Sequence, residues 1–177
     1  MTKKEYINSD NKFIKDLSKK TYIKLLLVND HWIQINRYIK YLRKQEYYQN
    51  HIGFLGNIIS LFYGRRKNSL GNKLGFYIPA FTLAPGVEIY HHGSVIINGN
   101  AKIGEGCKLH GMNCIGNNGI TEAAPVLGKN VDVGVGVKII GDVTLADDIK
   151  IGANAVVTKS FLEKGCTLVG IPARIKE

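Results

Sequence analysis

The chain has 177 residues, of which 45% are hydrophobic and 21% charged, a composition typical of a globular protein that buries a sizeable core. This apolar content excludes long intrinsic disorder. The most apolar stretch, from Ile52 to Tyr63, is interrupted by Gly56 and Asn57 and is far too short to span a membrane.

The distribution of charge divides the chain in two. The net charge of +10 lies entirely in residues 1–75, which contain 15 Lys and Arg against 5 Asp and Glu, whereas residues 76–177 contain 9 of each. Two interpretations are open: a solvated basic face on surface helices, or a peripheral contact with an anionic membrane. We expect no nucleic-acid binding, because the basic residues are scattered among aliphatic ones without a recognition motif.

The first 75 residues predict a basic α-helical N-terminal region. They contain no proline, and apolar residues from Leu25 to Leu42 recur at spacings of three and four, as one helix face requires. A second apolar helix is predicted from about Gly53 to Tyr63, ending at Gly64 and the basic cluster that follows. We interpret the aromatic residues of this region as packing surface: Trp32, Tyr38, Tyr41, Tyr47 and Tyr48.

From about residue 76 the chain follows a period of six residues. All four prolines and 15 of the 20 glycines lie here. In steps of six from Ile97 to Val157, ten of eleven positions are aliphatic, and a glycine follows five of them. The positions four residues after an aliphatic one are small or apolar: Ala101, Cys107, Val131, Val137, Val143, Ile149 and Ala155.

This period predicts the fold of residues 76–177. Short flat strands joined by tight corners repeat every six residues, so that three hexads form one triangular coil and each aliphatic side chain packs on the one 18 residues away. We interpret the glycines after the aliphatic positions as tolerating unusual backbone angles at the corners. The expected fold is mainly β, a left-handed parallel β-helix with a C-terminal tail, and an exception to the usual right-handed crossover.

One position breaks the repeat. Thr121 lies in a polar, loop-like stretch from Asn117 to Pro125, which we predict to bulge from the β-helix between two regular coils. The bulge is either a harmless corner insertion or the cover of a binding cleft, and the histidines that precede it favour the cleft.

Two features bear on the compartment. Residues Met1 to Asp10 are polar with no apolar stretch after them, so we expect no signal peptide. The three cysteines, Cys107, Cys114 and Cys166, favour neither a disulfide framework nor a cysteine-based metal site. We therefore expect a cytoplasmic protein, peripheral to the inner face of the membrane if the basic region contacts lipid.

Several motifs resemble one family in order and spacing. They are Gly-Val-Glu-Ile-Tyr-His at 86–91, Val-Ile-Ile at 95–97, the hexads, and the closing Gly-Ile-Pro-Ala-Arg at 170–174. Over roughly residues 70–175 the chain resembles the serine acetyltransferase group of hexapeptide-repeat acyltransferases, most of all its small branch of capsular or exopolysaccharide O-acetyltransferases. The resemblance implies an acetyl-CoA-dependent O-acetyltransferase assembled as a homotrimer, with equal clefts between subunits.

The resemblance places the family's catalytic histidine at His91. Its imidazole would act as general base, taking the proton from an acceptor hydroxyl as the oxygen attacks the thioester of acetyl-CoA. Transfer would be direct within a ternary complex, with a backbone N–H on a neighbouring coil meeting the oxyanion. Counting back by six from Ile97 puts His91 at a nominally inward position, but the repeat is already irregular there.

The other candidate site residues divide between the two substrates. Tyr90, His92 and His110 are candidates for acceptor binding, with a structural role as the alternative for His92. His110 follows the inward Leu109 and should point outward, about one coil from His91, into the same cleft or that of an adjoining subunit. For CoA, the resemblance implies small residues and free amides along a groove, with basic side chains at the phosphates: Val135, Gly152, Ala153, Lys159 and Arg174.

Three departures from the serine enzymes bear on the acceptor. The aspartate that orients the catalytic histidine would fall at Phe76, the acidic residue before that histidine is Tyr90, and the histidine that helps hold serine would fall at Ala124. A sugar hydroxyl is therefore the expected acceptor, and serine the alternative. A backbone carbonyl or Glu88 are candidates to orient His91.

Two other function classes are weaker. Some β-helices of this kind are carbonic anhydrases with zinc on three histidines, but the second and third histidines of that family are five residues apart, and the residue five after His110 is Ile115. We therefore expect no metal. A non-catalytic assembly scaffold is the remaining alternative.

Overall fold

A computed structural model describes residues 3–10, 12–51 and 53–177. Within these ranges five α helices precede the strands, and the two long ones, α4 and α5, pack against each other. None of the helices in the described ranges is long and apolar enough to cross a membrane. The helices are α1 (Lys3–Ile7), α2 (Lys12–Lys15), α3 (Lys19–Leu27), α4 (His31–His51) and α5 (Gly53–Leu74).

Two predicted helix boundaries were wrong. The apolar run from Leu25 to Leu42 is divided between α3 and α4, because the Asp30 carboxylate accepts a hydrogen bond from the Trp32 amide at 2.9 Å and starts a new helix. Helix α5 continues through Gly64 to Leu74. Gly64 does not end the helix because it serves packing: a Cβ there would lie 3.2 Å from the Gln45 side chain of α4.

A buried charge cluster joins the helices to the rest of the chain. The Arg43 side chain is 1% exposed and donates to the carboxylates of Asp10 and Glu46. It also donates to the backbone carbonyls of Leu83 and Ala84, each at 2.8 Å. This cluster thereby fixes α1, α2 and α4 against the segment that enters the first coil.

Fourteen short strands follow, arranged as three sheets around one core. All neighbouring strands pair in parallel except β13 and β14, which are antiparallel. The five-stranded sheet contains β1 (Phe76–Tyr77), β3 (Val95–Ile97), β6 (Cys114–Gly116), β9 (Lys138–Ile140) and β12 (Val156–Val157). The three-stranded sheet contains β4 (Lys102–Ile103), β7 (Val126–Leu127) and β10 (Thr144–Leu145). The six-stranded sheet contains β2 (Glu88–Ile89), β5 (Lys108–Leu109), β8 (Asp132–Val133), β11 (Lys150–Ile151), β13 (Thr167–Val169) and β14 (Arg174–Ile175).

The six-residue repeat is confirmed as a three-sided parallel β-helix. The ten aliphatic positions of the repeat are all buried, and Thr121 alone is exposed. Regular partners lie 18 residues apart, as in the pair Ile97 and Ile115. Across the bulge that contains Thr121 the separation rises to 24, as in the pair Leu109 and Val133, so the extra residues leave the coil without disturbing its register.

The role predicted for the glycines was wrong. Gly134 does not have a positive φ, and a Cβ there would lie 2.6 Å from the Ile151 carbonyl oxygen of the next coil. Glycine is therefore required at this position by the close stacking of coils. The left-handed backbone occurs two residues later, for example at Gly136 with φ 76°.

The irregular phase before Ile97 has a structural cause. Ile89 pairs with Leu109, 20 residues away, so the first coil contains two residues more than a regular one. The extra residues fall in the corner that carries His91 and His92, whose side chains are exposed. His91 is therefore not sealed inside the β-helix, although the count of six predicted an inward position.

Candidate active site

Most of the predicted site residues gather at one edge of the β-helix, where the six-stranded sheet turns into the five-stranded sheet. We call this edge the histidine corner; it comprises residues 90–93, 110–113, 134–136 and 152–154 on four successive coils. Backbone hydrogen bonds hold the coils together there, from the Tyr90 amide to the Leu109 carbonyl and from the His110 amide to the Val133 carbonyl, at 2.9 and 3.1 Å.

His91 lies at the first coil of this corner and has no hydrogen-bond partner among the described residues. Its side chain is exposed and makes no hydrogen bond to any residue that the structure describes. Gly111 of the next coil leaves room for it, since a Cβ at Gly111 would lie 3.4 Å from the His91 Cβ. An imidazole that is accessible and unpaired can accept a proton from a bound hydroxyl.

Helix α4 contributes an unpredicted histidine to the site. His31, the first residue of α4, stacks on His91 with ring centroids 5.9 Å apart and an interplanar angle of 21°. Its Nδ1 lies 3.3 Å from the Asp30 carboxylate, whereas its Nε2 is buried without a partner among the described residues. The ring also lies 5.6 Å from that of His92. No motif joins His31 to residues 60 positions away, so the sequence carries no signal for this contact.

Trp32 packs beside this pair and extends the site with aromatic surface. Its ring meets that of Tyr90 edge-on at 5.7 Å, and Tyr90 in turn stacks on His110 at 4.7 Å and 12°. The interpretation of Trp32 as packing surface is therefore incomplete, because the residue it packs on belongs to the candidate site.

Tyr90 and His110 each have a carboxylate partner. The Tyr90 hydroxyl donates to Glu88 at 2.9 Å, and His110 Nε2 lies 2.8 Å from the Asp132 carboxylate. Burial, followed by the hydrogen bond to Glu88, raises the pKa of Tyr90 to about 12. The Glu88 carboxylate is bonded to Tyr90, and the structure shows no hydrogen bond between Glu88 and His91, so the role of Glu88 in orienting His91 stays a prediction.

Four of the five candidate CoA residues lie below the histidines on the same side. Val135 and Ala153 are exposed on successive coils of the histidine corner, with Gly152 beside them. Arg174 is exposed on β14, opposite Val169, and a Cβ at Gly152 would lie 3.1 Å from the Val169 side chain. Lys159 is not part of this group: it follows β12 at another edge, with its ammonium 5.4 Å from the Phe161 ring.

Two of the three cysteines, Cys107 and Cys166, are buried and do not offer a nucleophile. Cys107 is buried, and burial raises the pKa of its thiol to about 11, so that it is protonated near neutral pH. Cys166 is also buried, and desolvation raises the pKa of its thiol. Within the described ranges, no cluster of three or more His, Cys, Asp or Glu side chains is arranged to hold a metal ion.

Comparison with known proteins supports the resemblance. No family model matches the chain. Over 98 or 99 residues, about 55% of the chain, it is 37% identical to a serine acetyltransferase of Helicobacter pylori, 33% identical to one of Synechococcus elongatus, and 36% identical to the putative colanic acid biosynthesis acetyltransferase WcaB of Escherichia coli. These matches cover 57%, 40% and 60% of the respective relatives, so the matched segment spans about half of their length.

Solved structures extend the likeness to the whole chain. The soybean serine acetyltransferase apoenzyme superposes over 98% of this chain and 69% of its own, with a TM-score of 0.72 and 20% identity. A serine acetyltransferase of Neisseria gonorrhoeae in complex with serine superposes over 97% and 68%, with a TM-score of 0.66 and 22% identity. The chain has the serine acetyltransferase fold. The predicted resemblance to hexapeptide-repeat acyltransferases is thereby confirmed, and so is the helical region that precedes the β-helix.

Proposed function

We propose that the protein is an acetyl-CoA-dependent O-acetyltransferase that modifies a hydroxyl of a carbohydrate, either a polysaccharide or its precursor. The observation that carries the proposal is the exposed, unpaired His91 at the position of the family's catalytic histidine, in a segment about a third identical to acetyltransferases. We propose as well that the β-helix is left-handed, as the hexads predict, and that the protein is cytoplasmic.

The chemistry is a direct acyl transfer. His91 takes the proton of the acceptor hydroxyl, and the oxygen forms a bond to the acetyl carbonyl carbon. The carbon–sulfur bond then breaks, and the thiolate of CoA leaves with the proton that His91 returns to it. The pantetheine arm of CoA lies along Val135, Gly152 and Ala153, with Arg174 at the phosphates. A relative of the same fold was solved as a serine acetyltransferase complex with CoA, with a TM-score of 0.66 and 22% identity.

His31 is the residue that orients the base. Phe76, which replaces the family's orienting aspartate, is 6% exposed and packs on Tyr38 with ring centroids 5.2 Å apart, so that position holds no carboxylate. The face of His91 is covered instead by His31, which the Asp30 carboxylate holds at the start of α4. Stacking restricts the imidazole to one plane, which preserves a geometry for proton transfer.

Two features of the site favour a carbohydrate as the acceptor: it lacks groups that hold serine, and it has an aromatic surface. Ala124 is 7% exposed and cannot replace the histidine that helps hold serine, and Tyr90 replaces the acidic residue before the base. The aromatic surface of Trp32, Tyr90 and His110 suits the flat face of a sugar ring, and the carboxylates of Glu88 and Asp132, which hold Tyr90 and His110, can accept hydrogen bonds from its hydroxyls. WcaB is named for colanic acid biosynthesis, which supports a carbohydrate acceptor. Serine is the second candidate, supported by the names of the other relatives.

We infer a homotrimer, as the resemblance implies, and the outer faces of the sheets indicate which of them its subunits share. The outward positions of the five-stranded sheet are mostly apolar: Tyr77, Ile96, Cys114, Lys138 and Val156. Those of the six-stranded sheet are charged or polar: Glu88, Lys108, Asp132, Lys150 and Thr167. Burying the five-stranded sheet between subunits places the histidine corner at a subunit boundary, where Lys159 of a neighbouring subunit can complete the phosphate site.

One assay tests the proposed function. Purified protein is incubated with acetyl-CoA and a panel of sugars, nucleotide sugars, oligosaccharides and serine, and the release of free thiol is followed. We expect thiol release that depends on a carbohydrate and on His91. Turnover with serine alone, with O-acetylserine as product, would replace the carbohydrate assignment; a complete lack of turnover and of acetyl-CoA binding would favour a scaffold.

A further inference from the structure

Helix α5 presents its large apolar side chains to solvent. Phe54, Leu55, Ile58, Leu61 and Phe62 are between 51% and 79% exposed, and we call them the exposed stripe. The face of α5 that packs against the protein consists mostly of small residues: Gly56, Ser60, Gly64, Lys67, Gly71 and Leu74. This arrangement is the inverse of an ordinary amphipathic helix, which buries its large apolar face.

Packing on the opposite side keeps the stripe outward. The Ser60 hydroxyl donates to the Gln45 carbonyl of α4 at 3.1 Å, and Gly64 lies against the Gln45 side chain. A Cβ at Gly71 would lie 2.7 Å from the Phe76 carbonyl oxygen. Only small residues fit these contacts, so α5 cannot rotate to bury the stripe within the chain.

The charges around the stripe are of one sign. Apart from Arg43 and Lys67, which are buried, helices α4 and α5 carry six Lys and Arg, and their single acidic residue, Glu46, is buried on Arg43. Arg65 and Arg66 are exposed at the end of the stripe, and the Arg66 guanidinium lies 5.1 Å from the Phe62 ring. A second copy docked on this face would bring like charges together, whereas an anionic bilayer matches both the apolar side chains and the cations.

We propose that the exposed stripe, with Arg65 and Arg66, is a membrane-binding surface for a bilayer with anionic headgroups. The apolar side chains enter the boundary between headgroups and acyl chains, and the arginines bind lipid phosphates. The inference depends on the surface of α5 alone and not on the catalytic assignment. If the acceptor is a lipid-linked glycan, the same surface brings the protein to the membrane that holds it.

Vesicle sedimentation of the full chain tests the surface. We expect binding to phosphatidylcholine vesicles that contain phosphatidylglycerol, weakened by salt, and little binding to phosphatidylcholine alone. Replacing Arg65 and Arg66 by Gln should lower the affinity about thirtyfold, and Leu61→Ser should lower it as well. The matched control is Lys150→Gln with Lys176→Gln, which removes two exposed charges from the β-helix domain and should leave binding unchanged.

Three outcomes would overturn the proposal. One is the absence of binding to the anionic vesicles. Another is an equal loss in the arginine variant and in the Lys150 and Lys176 control, which would show a general charge effect. The third is dissociation of an oligomer by Leu61→Ser in sedimentation velocity with no change in vesicle binding, which would assign the stripe to a second copy of the chain. Thiol release from acetyl-CoA, measured without vesicles, should be unchanged in every variant.

Discussion

The buried cluster at the junction of helices and β-helix allows a quantitative stability prediction. Arg43→Ala leaves the carboxylates of Asp10 and Glu46, 2% and 0% exposed, without their cation, and removes the donors to two backbone carbonyls. Breaking a buried ion pair by removing one partner lowers the free energy of unfolding by about 3–5 kcal/mol. For a chain of this size, each kcal/mol lowers the Tm by roughly 2–4 °C, so we expect a fall of roughly 6–20 °C.

The measurement is thermal unfolding followed by circular dichroism, with a surface ion pair as control. Lys129 lies 3.4 Å from Glu105, and both side chains are about two-thirds exposed, so Lys129→Ala should lower the free energy of unfolding by about 0–1 kcal/mol. If Arg43→Ala destabilised the protein no more than Lys129→Ala does, the cluster would not hold the helices on the first coil. In the Arg43→Ala variant we also expect protease to cleave the N-terminal helices faster than in the unchanged protein.

Three further predictions concern the site and the assembly. His91→Ala should lower kcat by about a hundredfold or more without weakening CoA binding, and an unchanged rate of thiol release would refute its role as general base. His31→Ala should lower kcat roughly two- to tenfold, which corresponds to the interaction free energy of one aromatic pair. His31→Phe should keep most of the activity, because its ring can still stack on His91. No loss of activity in either variant would show that stacking does not orient His91. Ile96→Lys places a charge on the outer face of the five-stranded sheet and should convert the trimer to monomers, as measured by sedimentation velocity. The control, Lys108→Glu on the six-stranded sheet, should leave the trimer intact. A trimer that persists in Ile96→Lys would show that the interface lies elsewhere.

The hexad repeat was sufficient to predict the β-helix from the sequence. Each inward aliphatic residue packs on its equivalent one coil away, so the pattern repeats wherever the coil does, and Thr121 marked the bulge between Ile97 and Val157 where the chain leaves it. The family resemblance located His91 by its motif, whereas a count of six gave its side chain a nominally inward direction at a point where the repeat was already irregular. Two extra residues in the first corner shift the phase there, and only the structure shows where they fall.

Only the tertiary structure decided which neighbours these residues meet. The start of α4 at Asp30 depends on local sequence. The contact between His31 and His91 depends instead on how α4 packs against the first coil, through residues far apart in the chain. The apolar spacing of α5 is likewise the same whether its large side chains face inward or outward. The small residues of α5 lie against Gln45 and Phe76, so the large apolar side chains must face outward. Side-chain volume, and not periodicity, determines which face of a helix can come closest to its neighbour.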